Sequence, residues 1–228
     1  MRKVNVVLSI ISTIVIYLLM AKLYQRFNYP FLLPVVTASI IIIVGLLVLH
    51  IPYEVYMEGG KWLQHLLGPA IVGLAYPLYN QRHLLVKYKY SIISGLFIAM
   101  ISGLISVYVL LVLFKVEREL ILTALPKSLT TPIAMQVSET IGGIAPLTAA
   151  LVMIAGFAGA IFGPAIYKLA KINSPISRGI SMGSASHGVG ISKLNEYGEE
   201  DLSIGSVSMS LSAVIGAVIC PIFAILFL

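Results

Sequence analysis

The sequence predicts an all-α, polytopic membrane protein built from two inverted repeats that contain broken or re-entrant helices. Three observations carry this. Of 228 residues, 59% are apolar and only 11% charged, with a mean hydropathy of +1.00; a soluble domain carries about 25% charged residues. Six uncharged runs are long enough to cover a hydrocarbon core of roughly 30 Å, which takes about 20 helical residues. An offset of about 115 residues places Pro30 on Pro146, Gly68, Ala70 and Gly73 on Gly183, Ala185 and Gly188, and Ser94 and Ala99 on Ser208 and Ala213. Backbone groups in lipid must pair internally and the alternating decads of a β-barrel are absent, so helices are the spanning element.

The first element is an N-terminal transmembrane helix within residues 1–26, uncharged from Val4 to Ala21. No small-x-small cleavage site precedes Lys22, so it reads as an uncleaved helix rather than a signal peptide. The side of the N-terminus stays open, because Arg2 and Lys3 oppose Lys22 and Arg26. Residues 27–114 form the first repeat, with runs Phe27–Tyr53, Trp62–Gln81 and Tyr90–Phe114. Residues 140–228 form the second, with Thr140–Tyr167, the short stretch Gly179–Ser192 and Leu202–Leu228. A rival offset of 95 matches Gly68-Pro-Ala-Ile71 to Gly163-Pro-Ala-Ile166.

Between the repeats, residues 115–139 read as a broken or re-entrant segment. Pro126 and Pro132 bracket Lys127, Ser128, Thr130 and Thr131, which a continuous lipid-facing helix tolerates badly. The loops set the threading. Lys22/Arg26, Arg82/Lys87/Lys89 and Lys168/Lys171/Arg178 are basic, whereas the loops around Glu54, around Glu117 and from Lys193 to Asp201 are neutral or acidic. The positive-inside rule places the first set in the cytoplasm and the second outside. Leu120–Glu139 must then begin and end outside, and Gly179–Ser192 must cross although its length spans only about 21 Å.

The net charge of +6 follows membrane topology rather than nucleic-acid binding, because no basic patch is interleaved with aromatics. Cys220, the single cysteine, makes no intrachain disulfide. His50, His65, His83 and His187 lack metal-ligand spacing, and neither a P-loop nor a Gly-x-Ser-x-Gly elbow is present. The sequence therefore points to no enzyme, no cofactor and no metal.

Two constellations carry chemistry. In Pro126-Lys-Ser-Leu-Thr-Thr-Pro-Ile-Ala134, a proline-broken segment leaves N–H groups unpaired at the start of the next half-helix, where hydroxyls and the helix dipole favour an anion. Lys127 adds a positive charge there or snorkels to the interface; Ser128, Thr130 and Thr131 line the site or cap the broken backbone. Glu139 is an intramembrane carboxylate, read either as a proton carrier or as the ion-pair partner of Lys127. In Gly183-Ser-Ala-Ser-His-Gly-Val-Gly190, Ser184, Ser186 and His187 bring hydroxyl and imidazole donors to an unwound backbone. His187 either helps to carry a proton or hydrogen-bonds the broken helix. Small-residue ridges at spacing four, Gly95/Ala99/Gly103, Ala155/Gly159/Gly163 and Ser208/Ser212/Gly216/Cys220, permit close helix packing, within the bundle or in a homodimer.

On these motifs, with Leu67-Gly-Pro-Ala-Ile-Val-Gly-Leu-Ala-Tyr-Pro-Leu-Tyr79 and Ser138-Glu-Thr-Ile-Gly-Gly143, the chain resembles the LrgB/CidB family of antiholin-like proteins. The resemblance covers essentially the whole chain. It implies a multi-pass protein of the bacterial plasma membrane that works with a smaller LrgA/CidA-type membrane partner. Two functions accompany the family: holin-like control of murein hydrolase export and autolysis, and transport of small carboxylates, pyruvate in bacteria and glycolate/glycerate in plastid relatives. Unlike for the plastid forms, we expect no transit peptide and no fused LrgA-like half, which leaves the partner question open. The residues and the resemblance together lead us to expect a proton-coupled carrier of small monocarboxylates, with holin-like regulation as the alternative. Substrate would meet Lys127, Ser128, Thr130, Thr131, Ser186 and His187, and protons would pass through Glu139 and His187.

Overall fold

The computed structural model describes residues 2–27, 32, 34–66, 69, 72, 75–80 and 82–228. Every described secondary-structure element is helical. Among the described residues, four helices are long and apolar enough to cross a membrane: Val6–Phe27, Lys89–Leu113, Ala145–Leu169 and Glu199–Phe227. The chain divides into two compact units, Met1–Ala70 and Ile71–Leu228.

In the first unit, α1 (Arg2–Phe27) packs against both α2 (Pro34–Val48) and α3 (Tyr53–His65). Gly59 lets α3 approach α1 closely, since a Cβ there would sit 2.6 Å from the Val6 carbonyl oxygen. A hydrogen bond of 2.8 Å between Thr13 Oγ1 and Tyr56 Oη ties the pair. The run Phe27–Tyr53 yields a described helix of only 15 residues, about 22 Å long. The expected crossing over Trp62–Gln81 falls partly outside the described residues, as do Pro30, Gly68, Ala70 and Gly73 of the 115-residue offset.

The second unit holds α4 (Ala75–Asn80), α5 (Arg82–Lys87), α6 (Lys89–Leu113), α7 (Arg118–Ala124), a 3₁₀ turn (Leu125–Ser128), α8 (Thr131–Ile141), α9 (Ala145–Leu169), α10 (Pro175–Ala185), α11 (His187–Leu194) and α12 (Glu199–Phe227). In α6 the buried residues Ile92, Leu96, Met100 and Leu104 recur every four positions, which is one face of a helix. Leu129, Ile133, Ala134 and Val137 of the broken segment join Met100, Leu104, Ala213 and Phe223 in the largest apolar cluster.

Residues 118–144 double back on themselves, so that Ile144 returns to Thr123. The 3₁₀ turn and the extended residues Leu129 and Thr130 break the path between α7 and α8. Pro132 sits in the first turn of α8, where a missing N–H leaves no bond unmade. At the other end Gly142 adopts φ +88°, and the N–H groups of Gly142 and Gly143 donate to the carbonyls of Glu139 and Ser138. That is a Schellman stop, and it turns the chain sharply into α9. The return is fastened by hydroxyls. Ile144 N–H donates to Thr123 Oγ1 at 2.9 Å, and Thr148 Oγ1 lies 2.8 Å from the Thr123 carbonyl oxygen and 2.6 Å from Ser138 Oγ.

The stretch 179–192 departs from the sequence expectation, because it does not cross. α10 runs in, breaks at Ser186 and returns as α11. Arg178 at its start and Asp201 in the first turn of α12 are bonded at 2.6 Å and 3.2 Å, so the two sit at one end of the bundle. Tyr88, just before α6, reaches Glu200 at 3.3 Å at that same end. The acidic residues expected outside thus lie with the basic set and are partly neutralised by it. The positive-inside rule weighs Lys and Arg and hardly counts Asp and Glu, which is why the acidic composition of the 193–201 loop misleads.

The resulting order is span, hairpin, span, hairpin, span. It recurs after 56 residues, from Lys89 to Ala145, Leu113 to Leu169 and Thr131 to His187. Because α9 separates the hairpins, they enter from opposite ends. One end carries Lys87, Lys89, Lys168, Lys171, Arg178 and Lys193 against four acids; the other carries Lys115 and Arg118 against Glu117, Glu119 and Glu139. The small-residue ridges are largely used inside this unit: a Cβ at Gly95 would meet Ile180, one at Gly163 would meet Met182, and one at Gly216 would collide with Leu129.

Candidate functional site

The two hairpins meet at their tips. The tip of the first is the break created by Pro126 and the extended Leu129–Thr130; the tip of the second is the break at Ser186, after which His187 takes a left-handed φ of +37°. A non-glycine residue in that region carries backbone strain. His187 Nε2 lies 3.2 Å from the Lys127 carbonyl oxygen, and since a carbonyl only accepts, the proton of this bond sits on Nε2. The bond gives the 3₁₀ turn a partner from the second hairpin.

Beside this junction lies a cleft of about 670 Å³. Its walls come from four places: Ala99, Ser102, Gly103 and Ser106 of α6, Lys127 and Ser128 of the first tip, Ala155, Ala158, Gly159, Phe162 and Ile166 of α9, and Ser181, Ser184, Ala185 and Ser186 of α10 and the second tip. Lys127 Nζ lies 3.4 Å from Ser128 Oγ. No carboxylate lies within ion-pair distance of it among the described residues. The geometry supplies one cationic group and several hydroxyls in an otherwise small-residue, apolar hollow, which suits an anion carrying apolar surface.

Of the residues singled out in the sequence, Lys127, Ser128 and Ser186 line this cleft, with His187 buried at the junction. Thr130 and Thr131 are not in its wall. Thr130 is buried at the start of α8, and its Oγ1 finds no partner. Glu139 is exposed near the Gly142 turn and makes no ion pair with Lys127. Ser184, a hydroxyl donor of the second motif, also lines the cleft, whereas Ser102, Ser106 and Ser181 fall outside both motifs. The available signal was the Gly95/Ala99/Gly103 ridge with serines beside it, which reads equally well as packing. Gly103 opens on empty space, whereas a Cβ on Gly159 would collide with Ser186. One ridge therefore lines the hollow and the other seats the second tip. No group of residues able to hold a metal ion occurs among the described residues.

Residues 13–226 match the LrgB-like family. The chain is 47% identical over 221 residues to the uncharacterized protein YxaC of Bacillus subtilis strain 168, covering 97% of this chain and 96% of that one. It is 35% identical over 221 residues to the holin-like protein CidB of Staphylococcus epidermidis, with the same coverage. To the holin-like protein CidB of Staphylococcus aureus it is 34% identical over 224 residues, 98% of each chain. No solved structure matches.

Proposed function

This chain belongs to the LrgB-like family, and on that premise we propose that it acts as a holin-like protein of the bacterial plasma membrane, regulating murein hydrolase export and autolysis with an LrgA/CidA-type membrane partner. The observation that carries this is the name of its staphylococcal relatives, holin-like protein CidB, at 34% and 35% identity over nearly the full length. The four apolar spans and two hairpins give it the body of a multi-pass membrane protein.

A second reading is favoured by one specific feature, Lys127 in a cleft between two broken segments. It is secondary transport of small monocarboxylates, such as pyruvate, glycolate or lactate, coupled to protons. The cleft supports Lys127, Ser128 and Ser186 as carboxylate contacts. Thr130 and Thr131 at the neighbouring half-helix start are candidates if the tips part. His187 and Glu139 remain the proton-coupling candidates, with Glu139 acting from the exposed end rather than from the cleft. A homodimer belongs to this proposal too, although the ridges that suggested it are largely used within one chain.

Uptake of labelled pyruvate into proteoliposomes, alongside release of a trapped dye, separates the two. Dye release without saturable pyruvate uptake is expected of the holin-like function. Saturable, dye-excluding uptake that is lost in Lys127→Ala overturns it in favour of the carrier.

A further inference from the structure

The cleft that holds Lys127 is larger than a three-carbon acid requires, and it opens sideways. Its volume of about 670 Å³ lies within the roughly 300–1,000 Å³ that encloses ligands of drug size. At its mouth Ser102 and Ser106 are exposed on α6, and Phe162 and Ile166 are 60% and 54% exposed on α9. These residues lie on the flanks of two helices that are long and apolar enough to cross a membrane, the kind of flank that lipid would contact. An ammonium opening onto hydrocarbon calls for a counter-anion, and Lys127 has no carboxylate partner among the described residues. An anion that reaches it from the lipid side must itself dissolve in lipid.

The geometry points to a binding site for a single-chain anionic amphiphile, a fatty-acid-type carboxylate. Its head pairs with Lys127 Nζ beside Ser128, and its tail lies along Ala155, Ala158, Phe162 and Ile166 and out between α6 and α9. The small residues of both walls leave room for the tail, and the apolar rim solvates its far end. This inference rests on the cleft being a ligand site, as the second reading above holds, but not on transport.

The test uses the full chain in neutral nanodiscs, with laurate, dodecanol, acetate and pyruvate as probes, read by native mass spectrometry and thermal unfolding. Laurate is expected to bind saturably, one per chain, and to raise the unfolding temperature. Lys127→Gln should weaken it at least tenfold, since a charge-assisted contact is lost, while Lys127→Arg retains it. Ala158→Phe, which fills the tail path and leaves Lys127 in place, should weaken laurate alone. All three variants are first checked for unchanged unfolding without ligand. If dodecanol binds as well as laurate and Lys127→Gln changes nothing, the amphiphile only partitions and the inference fails. If laurate is inert but pyruvate stabilises the protein through Lys127, the inference fails and the small-carboxylate reading stands. If no acid acts, both fall.

Discussion

His187 Nε2 and the Lys127 carbonyl oxygen, 3.2 Å apart across sixty residues of sequence, join the tips of two hairpins that enter the bundle from opposite ends. The bond explains how the protein keeps a strained residue: the left-handed backbone of His187 turns the second hairpin so that its ring reaches the first. A hairpin tip in an apolar medium leaves backbone carbonyls without water, and the imidazole satisfies one of them.

His187 therefore contributes in two separable ways, and substitution distinguishes them. His187→Ala loses the hydrogen bond and keeps the left-handed strain; His187→Gly loses the bond but releases the strain. The glycine variant should be the more stable of the two by about 1 kcal/mol, as read by denaturant unfolding in detergent. A glycine variant no more stable than the alanine one means that the left-handed turn is not formed.

The Arg178–Asp201 pair puts the 193–201 loop on the basic side of the membrane. In a Cys220→Ser background, Glu199→Cys and Lys171→Cys should react with a membrane-impermeant thiol reagent from the same side, and Glu117→Cys from the other. Labelling of Glu199→Cys and Lys171→Cys from opposite sides would falsify the second hairpin and restore a crossing at Gly179–Ser192. Asp201 is 2% exposed while Arg178 is only partly buried, so Asp201→Asn should also destabilise the protein by about 1.5 kcal/mol, the loss of a hydrogen bond to a charged group.

Two glycines that look alike in the sequence should respond differently to alanine. A Cβ on Gly159 collides with Ser186, so Gly159→Ala should cost about 1–3 kcal/mol and shift the second tip. Gly103 faces open space, so Gly103→Ala should be neutral or stabilising by up to about 1 kcal/mol through helix propensity. Thermal unfolding of the two single variants checks this, and equal losses in both would remove the distinction between a seating ridge and a lining ridge.

Thr148 holds the foot of the first hairpin through Thr123 and Ser138. Thr148→Val keeps the shape and strands the buried Ser138 hydroxyl, an expected loss of about 1–3 kcal/mol. Thr148→Ser should retain most of the stability. Hydrogen exchange of residues 123–144 should rise in the valine variant only; unchanged exchange there would show that packing alone holds the foot.

The sequence by itself determined the solvent, the helical class and the places where helices stop. Hydrocarbon excludes charge and unpaired backbone, so run lengths, Pro126, Pro132 and the glycines around Ser186 speak for themselves wherever they fall in a fold. It could not determine that residues 179–198 turn back, because the 193–201 loop looks acidic until Arg178 is seen neutralising Asp201. Nor could it show that Lys127, Ser128 and Ser186 share a cleft while Thr130, Thr131 and Glu139 stand outside its wall. Such neighbourhoods depend on which helix faces touch across 20 to 100 residues of chain. That was decided by tertiary packing, where Gly159 admits Ser186, Gly216 admits Leu129, and one imidazole closes the gap between the tips.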